Sequence, residues 1–194
     1  MMQVNEIFYS LQGEGCHSGT PAVFVRFSGC NLRCPFCDTQ HTAATAMTEG
    51  EIVAAVERWP ARLVVLTGGE PALQLTASLV DALHAAGRRV AVETNGTRPI
   101  AEGVDWITLS PKDIWLGDSA KPVIVRADEL KVLYDGTHDP DRYGTIGAAH
   151  RLLQPMDTGD PARNAAIRQL AVDYCLRHPE WALSLQIHKI LNIK

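Results

Sequence analysis

The sequence predicts an α/β fold in which a largely parallel sheet forms an incomplete (partial) TIM-type barrel. Short β-rich segments alternate with helical ones, and some of them, such as Leu63–Leu66, are continuously apolar, as strands covered on both faces are. The chain has 194 residues, fewer than the roughly 250 that a full eight-fold barrel takes. We therefore expect a single domain over residues 1–194 that is built as a shortened barrel.

Seven segments are candidate strands because they are short, apolar and rich in β-branched residues. They are Ala22–Phe27, Leu63–Thr67, Arg89–Thr94, Trp106–Leu109, Leu130–Tyr134, Arg151–Gln154 and Ser184–His188. Three candidate helices cover Thr48–Arg58, Leu75–Ala86 and Pro161–Arg177. Thr48 followed by Glu51 suggests a capping box, and Gly87 stands where a glycine commonly ends a helix. Trp115–Val125 and Gly136–Ala149 match no motif and are expected to be loops.

Composition and charge narrow the class of function. The formal net charge of −4 argues against general binding to nucleic acid or to an anionic membrane. There is no apolar run of roughly 20 residues, and the opening MMQVNEIFYS lacks the basic and apolar regions of a signal peptide. We therefore expect a cytoplasmic protein that has neither a nucleic-acid nor a membrane partner.

Three of the five cysteines lie within eight residues, directly after the first candidate strand. Cys30, Cys34 and Cys37 have C-x3-C-x2-C spacing, so three thiolates on one tight loop can bind three irons of a single [4Fe–4S] cluster. No fourth cysteine follows nearby. One iron would therefore stay open to a substrate or cofactor, which is what separates this pattern from an electron-transfer cluster.

A structural zinc site, in a binding module without catalysis, is the alternative for the cysteine loop. Zinc usually takes four closed ligands, and the sequence has no second C-x2-C pair. His41, four residues beyond Cys37, is the nearby candidate for a fourth ligand. Cys16 and Cys175 stand alone and are expected to be ordinary buried or loop cysteines. Iron and sulfide analysis would separate the two alternatives.

Further motifs surround the cysteine loop. They are SLQGEG at residues 10–15, CDT at 37–39, TGGEP at 67–71, ETNGT at 93–97, SPK at 110–112, LQPM at 153–156 and SLQIHK at 184–189. The cysteine spacing together with GGEP resembles the radical S-adenosylmethionine (SAM) superfamily. SLQGEG, CDT and SLQxHK are more narrowly similar to the 7-carboxy-7-deazaguanine synthase family, over nearly the whole chain.

The resemblance implies a reaction and its cofactors. A carbon–nitrogen lyase of queuosine and 7-deazapurine biosynthesis would contract the ring of 6-carboxy-5,6,7,8-tetrahydropterin to 7-carboxy-7-deazaguanine and release ammonia. It would use a [4Fe–4S] cluster, SAM and Mg²⁺, with a flavodoxin-type electron donor. The exposed edges of an incomplete barrel also favour a homodimer. Another small radical SAM enzyme, such as a glycyl-radical activase, is the competing enzyme, but it should lack SLQGEG and SLQxHK.

The resemblance also assigns residues to each ligand. The cluster would be held by Cys30, Cys34 and Cys37, and Mg²⁺ by Thr39, for which helix capping is the alternative role. The residues expected at SAM are Phe36, Cys37, Asp38, Gly69, Glu70, Ser110, Pro111, Lys112, Gln154, Pro155, Met156 and Asp157, with Glu93, Thr94 and Asn95 near its ribose. The residues expected at the pterin are Leu11, Gln12, Gly13, Glu14, Arg26, Thr67, His188 and Lys194. No catalytic side chain is assigned, because the radical would arise at the cluster and SAM.

The chemistry of the ligands agrees with several of these assignments. A pterin has an amide-like edge and a carboxylate, which call for a carboxylate or amide such as Glu14 or Gln12, and for an arginine such as Arg26. Glu70 would offer a carboxylate to the ammonium of SAM. For Arg26 the alternative is a surface ion pair, and for Lys112 it is a solvated surface lysine.

Overall fold

The computed structural model describes residues 1–194 and contains nine strands and five α-helices. The strands are β1 (Met2–Leu11), β2 (Pro21–Phe27), β3 (Thr45–Met47), β4 (Leu63–Gly68), β5 (Arg89–Thr94), β6 (Trp106–Leu109), β7 (Arg126–Tyr134), β8 (Gly147–Pro155) and β9 (Ala182–Leu183). The helices are α1 (Glu49–Val56), α2 (Ala77–Ala85), α3 (Asp113–Leu116), α4 (Pro161–Arg177) and α5 (Ile187–Leu191). None of them combines the length and the apolar character that crossing a membrane requires.

All nine strands form one sheet in the order β3-β1-β2-β4-β5-β6-β7-β8-β9. Strand β2 and strands β4 to β9 are parallel, and β1 pairs antiparallel with β2 and β3. The two end strands, β3 and β9, do not pair with each other, so the sheet is not closed. The predicted incomplete barrel is therefore confirmed, and the C-terminal ends of seven parallel strands meet at one edge.

Both faces of the sheet are covered, which explains why its strands are continuously apolar. In β2 and β4, Val23, Val25, Val64 and Leu66 are buried in the core that α1 and α2 cover. The alternate residues of these strands, including Phe24 and Val65, form a smaller core on the opposite face. A third core lies between the last strands and α4.

The predicted helix ends are confirmed. The backbone N–H of Glu51 donates to Thr48 Oγ1 at 3.2 Å, and the Thr48 N–H donates to Glu51 Oε2 at 2.7 Å, so the capping box is complete. Gly87 follows the last residues of α2 with a φ of +72°, a conformation that glycine adopts at low cost.

The predicted strand over Ser184–His188 is wrong. Only Ala182–Leu183 pairs with β8, and the chain then turns into α5. The Ser184 hydroxyl donates to Gln154 Oε1 at 3.0 Å, and the N–H of Ile187 donates to the carbonyl of Gly13 at 2.8 Å. These tertiary hydrogen bonds replace the strand ladder. Strands β1 and β3 and the short helix α3 were not predicted.

A loop over residues 12–19, the crossing loop, extends from the end of β1 across the concave side of the sheet. Its Gly15 N–H donates to Ser184 Oγ at 3.0 Å, and its Cys16 N–H donates to Glu129 Oε2, on β7, at 2.8 Å. Position 15 favours glycine, because φ is +70° and a Cβ would lie 2.4 Å from Glu129 Oε1, so that the Glu129 side chain would have to move. The crossing loop therefore connects the first part of the sheet with the last, across the gap in the barrel.

Candidate active site

A cavity of about 740 Å³ lies at the C-terminal ends of the parallel strands. The crossing loop, the cysteine loop and the segment that begins at Gln186 complete its wall. All the predicted pterin residues line it: Leu11, Gln12, Gly13, Glu14, Arg26, Thr67, His188 and Lys194. The volume is within the range of pockets that enclose small molecules. The fold thus brings motifs from both ends of the chain into one site.

The thiols of Cys30, Cys34 and Cys37 are free and line one end of the cavity. Only one group of three or more His, Cys, Asp or Glu side chains has its ligand atoms within 4.8 Å of one another, and it contains no cysteine. Three thiolates on one tetrahedral zinc would lie about 3.8 Å apart. The loop therefore lacks the spacing of a zinc site, whereas a cuboidal cluster binds each sulfur to a different iron and spreads them further.

The cysteine loop is fixed by the TGGEP turn. The Gly69 N–H donates to the carbonyl of Phe27 at 3.0 Å, and the Glu70 N–H donates to the carbonyl of Gly29 at 2.9 Å. A Cβ on Gly69 would lie 1.8 Å from the Gly29 carbonyl oxygen. The two loops can therefore be in contact only because position 69 has no side chain. The same close approach places the cysteine loop next to the ends of β4 and β5.

Three of the residues expected at SAM do not line the cavity: Glu70, Pro111 and Pro155. The Glu70 side chain is buried and accepts hydrogen bonds from Thr94 Oγ1 at 2.7 Å and from the N–H groups of Asn95 at 2.7 Å and Ala72 at 3.0 Å. Burial raises its pKa, although these donors oppose the shift. In this arrangement Glu70 holds the TGGEP turn against the end of β5, and its contact with SAM stays a prediction.

The remaining residues expected at SAM line the cavity: Phe36, Cys37, Asp38, Gly69, Ser110, Lys112, Gln154, Met156 and Asp157, with Glu93, Thr94 and Asn95. Lys112 Nζ donates to the carbonyl and the hydroxyl of Ser110, both at 2.6 Å, so Lys112 is held in the wall rather than solvated at the surface. Burial lowers the pKa of Lys112 to about 8, against the opposing effect of Cys34. Phe36 packs edge-on against Trp115 at 5.3 Å between ring centroids.

The segment after β9 is connected to the cysteine loop by Lys189. Its ammonium lies 3.2 Å from Asp38 Oδ2 and 2.8 Å from Asp157 Oδ2. Trp115 and Lys189 were not assigned from the sequence. Trp115 lies in a stretch without a motif, whereas Lys189 ends the SLQIHK motif and could have been found there.

Two carboxylates, an amide and a lysine ammonium form one part of the cavity wall, which we call the recognition wall (Gln12, Glu14, Glu93 and Lys131). Lys131 Nζ donates to Glu14 Oε2 at 2.5 Å and lies 3.8 Å from Glu93 Oε1. Gln12 Nε2 donates to Glu93 Oε1 at 2.9 Å. Burial would raise the pKa of the Glu14 carboxyl, but the Lys131 ammonium outweighs burial and lowers it. Lys131 was not predicted, because it lies within the candidate strand Leu130–Tyr134 and belongs to none of the motifs.

Two further cationic groups, Arg26 and Lys194, line the same cavity. Arg26 Nε donates to Glu6 Oε1 at 2.9 Å, and Arg26 Nη1 donates to Thr39 Oγ1 at 3.4 Å. Lys194 Nζ pairs with Glu6 as well and lies 5.0 Å from the centre of the Phe8 ring. Arg26 thus forms an ion pair, as the alternative role supposed, and it also faces the cavity. Thr39 caps no helix, since the helix that follows it begins at Glu49, so the alternative role for this threonine is wrong.

Comparisons with known proteins agree with this geometry. Residues 24–114 match the family model of the radical SAM superfamily. The chain is 53% identical over 194 residues to a 7-carboxy-7-deazaguanine synthase of Bacteroides thetaiotaomicron, with 100% of both chains covered. It is 45% identical to one of Burkholderia multivorans, with 98% of both covered. The crystal structure of QueE from Escherichia coli superposes with a TM-score of 0.77 at 28% identity, over 96% of this chain and 94% of that one.

Proposed function

Because this chain belongs to the 7-carboxy-7-deazaguanine synthase family of the radical SAM superfamily, we propose that it converts 6-carboxy-5,6,7,8-tetrahydropterin to 7-carboxy-7-deazaguanine, with release of ammonia and assistance by Mg²⁺. Membership of the family gives the chain a role in 7-deazapurine biosynthesis. The identity of the substrate and the use of Mg²⁺ are part of our proposal.

The residues at the cysteine end fit a cluster with one open iron. Cys30, Cys34 and Cys37 would hold it, and no fourth cysteine reaches the cavity, since neither Cys16 nor Cys175 lines it. The Leu32 N–H lies 3.4 Å from Cys30 Sγ, a contact of the kind that tunes cluster potentials. With SAM, the cluster supplies the radical chemistry, and the side chains of this chain bind and orient the substrate.

The single observation that carries the proposal is the presence in one cavity of the three thiols, a group of carboxylates and a group of cations. The recognition wall offers the carboxylates of Glu14 and Glu93 to N–H groups, as the aminopyrimidine edge of a pterin requires. Arg26 and Lys194, which line the same cavity, can bind the carboxylate of the same molecule. A flat molecule with an N–H edge and a carboxylate complements this arrangement.

The proposed reaction is tested by incubating the anaerobically reconstituted protein with the tetrahydropterin, SAM, Mg²⁺ and a reductant. We expect a product with the mass of 7-carboxy-7-deazaguanine, together with ammonia. A matched incubation without SAM should give neither. Cleavage of SAM without this product would contradict the proposal and favour another radical SAM activity, such as that of a glycyl-radical activase.

Thr39 tests the role of Mg²⁺. Its hydroxyl and the Asp38 carboxylate, 3.4 Å away, provide few oxygen ligands for a metal. The hydroxyl also accepts a hydrogen bond from the Arg26 guanidinium at 3.4 Å. The metal should therefore bind well only when the substrate carboxylate joins the site. We expect Thr39→Ala to abolish most of the stimulation of turnover by Mg²⁺, and Thr39→Ser to retain much of it.

The measurement is a titration of turnover with Mg²⁺ for the wild-type protein and both variants. Iron content and melting temperature serve as controls and should stay the same, because Thr39 caps no helix and binds no iron in this arrangement. Unaltered stimulation by Mg²⁺ in Thr39→Ala would show that Thr39 does not bind the metal.

We also propose a cytoplasmic homodimer that receives its electron from a flavodoxin-type donor. Light scattering of the purified protein tests the dimer. Support of SAM cleavage by a reduced flavodoxin in place of a chemical reductant tests the donor.

A further inference from the structure

Lys131 is a buried lysine in the second half of β7, where the residues on either side of it are apolar. Its neighbours on β7, Leu130 and Val132, are buried in the core, and its own side chain is 6% exposed. Withdrawing an ammonium from water costs several kcal/mol unless charged partners compensate. The position of Lys131 is therefore explained only by the groups that surround its nitrogen.

Two carboxylates from different parts of the chain lie at the Lys131 nitrogen. Glu14 comes from the crossing loop, at 2.5 Å, and Glu93 from the end of β5, at 3.8 Å. The other charged groups nearby have different hydrogen-bond partners. Glu129, on the same strand, accepts from the Cys16 N–H, and Lys112 donates to Ser110. Lys131 is thus the cation that Glu14 and Glu93 share.

Without that cation, two carboxylates would face one small cavity. Such pairs commonly retain a proton near neutral pH, because both cannot stay charged at close range away from water. A retained proton would turn one acceptor of the recognition wall into a donor. An N–H group of a ligand would then meet an O–H group, and the hydrogen bond would be lost.

We propose that Lys131 is a positioning residue that keeps the Glu14 carboxylate charged and holds Glu14 and Glu93 at the cavity, so that the site selects ligands with a continuous N–H edge. The inference deepens the proposed function and rests on it. Lys131 itself needs no contact with the ligand. Its effect is transmitted through Glu14 and Glu93, since both are within reach of its nitrogen. The lysine thereby determines specificity rather than chemistry.

The test is the affinity for 6-carboxy-5,6,7,8-tetrahydropterin, measured anaerobically by calorimetry on the reconstituted, SAM-loaded protein between pH 6 and pH 9. Each Kd is expressed relative to wild type at the same pH, which cancels the titration of the ligand and of Lys112. For Lys131→Met we expect about thirtyfold weaker binding at pH 6 and only about threefold weaker binding at pH 9. Removal of the ammonium raises the pKa of Glu14, and higher pH restores its charge.

Two further variants serve as controls. Lys131→Arg keeps the charge, so its relative Kd should not change with pH. Lys121→Met removes one lysine from an exposed position outside the cavity and should bind like wild type at every pH. If Lys131→Met does not fold, Lys131→Gln replaces it, because glutamine is neutral but still donates to Glu14; the same pH dependence is expected.

The inference would be overturned if the neutral variants bound the tetrahydropterin as tightly as wild type, or if their binding were weakened by the same factor at every pH. Either result would indicate a purely structural lysine. A pH-dependent relative Kd in Lys131→Arg would overturn it too. If the wild-type protein itself does not bind the tetrahydropterin, the proposed function fails and the inference with it. These outcomes are distinguishable, because only the last concerns the wild type.

Discussion

Replacement of Cys30, Cys34 or Cys37 by alanine is expected to abolish reductive cleavage of SAM, by more than about a hundredfold in each case. Three thiolates are the minimum that holds a cubane cluster and leaves one iron open, and loss of a ligand should cost more than loss of a group behind it. Cys16→Ala and Cys175→Ala should retain the cluster, since neither residue lines the cavity. The formation of 5′-deoxyadenosine, together with iron and sulfide content, measures both effects.

The assignment of the cluster is tested by comparing all five cysteine variants. Retained SAM cleavage in a purified Cys34→Ala protein would show that this loop does not hold the cluster. Loss of iron in Cys16→Ala would likewise contradict the assignment, because that residue does not line the cavity.

Gly69→Ala is expected to destabilise the protein by about 3 kcal/mol or more and to prevent stable retention of iron. A Cβ at this position would lie 1.8 Å from the carbonyl oxygen of Gly29. The oxygen belongs to the backbone and the Cβ would be fixed to it, so neither atom can move aside as the end of a flexible side chain could. The cysteine loop would have to leave the TGGEP turn. Urea unfolding and iron analysis of the reconstituted protein measure these two effects.

Gly50→Ala is the matched control, since it makes the same change in α1 where a Cβ meets nothing within 4 Å. It should leave iron content unchanged and stabilise the protein by about 0.5 kcal/mol, because alanine favours the helix. Wild-type stability and iron content in Gly69→Ala would show that the two loops do not approach as closely as described.

The class of fold and the cysteine loop could be predicted because their signals are local. Continuous apolar runs such as Leu63–Leu66 identify strands covered on both faces, and three cysteines within eight residues need no knowledge of the rest of the chain. The capping box at Thr48 is local in the same way. In each case, the residues that decide the structure are neighbours in sequence.

The features that the sequence did not reveal depend on distant contacts. The segment from Ser184 has the composition of a strand, but hydrogen bonds to Gln154 and to the crossing loop determine its path. Glu70 was expected at SAM because its motif places it near the cavity. Its burial depends on donors from β5, which sequence alone does not place. Lys131 was missed since its partner, Glu14, lies more than a hundred residues earlier.

The crossing loop determines when the site can form during biosynthesis. Gly13 and Gly15 come early in the chain, but the groups they bind, Ile187 and Ser184, are among its last residues. The strands that carry the cysteine loop and the TGGEP turn can pair much earlier, since they are adjacent in the sheet and close in sequence. The recognition wall therefore takes its final arrangement only after residues 184–187 have been synthesised and have reached the crossing loop. A nascent chain can expose its thiols well before it can enclose a substrate.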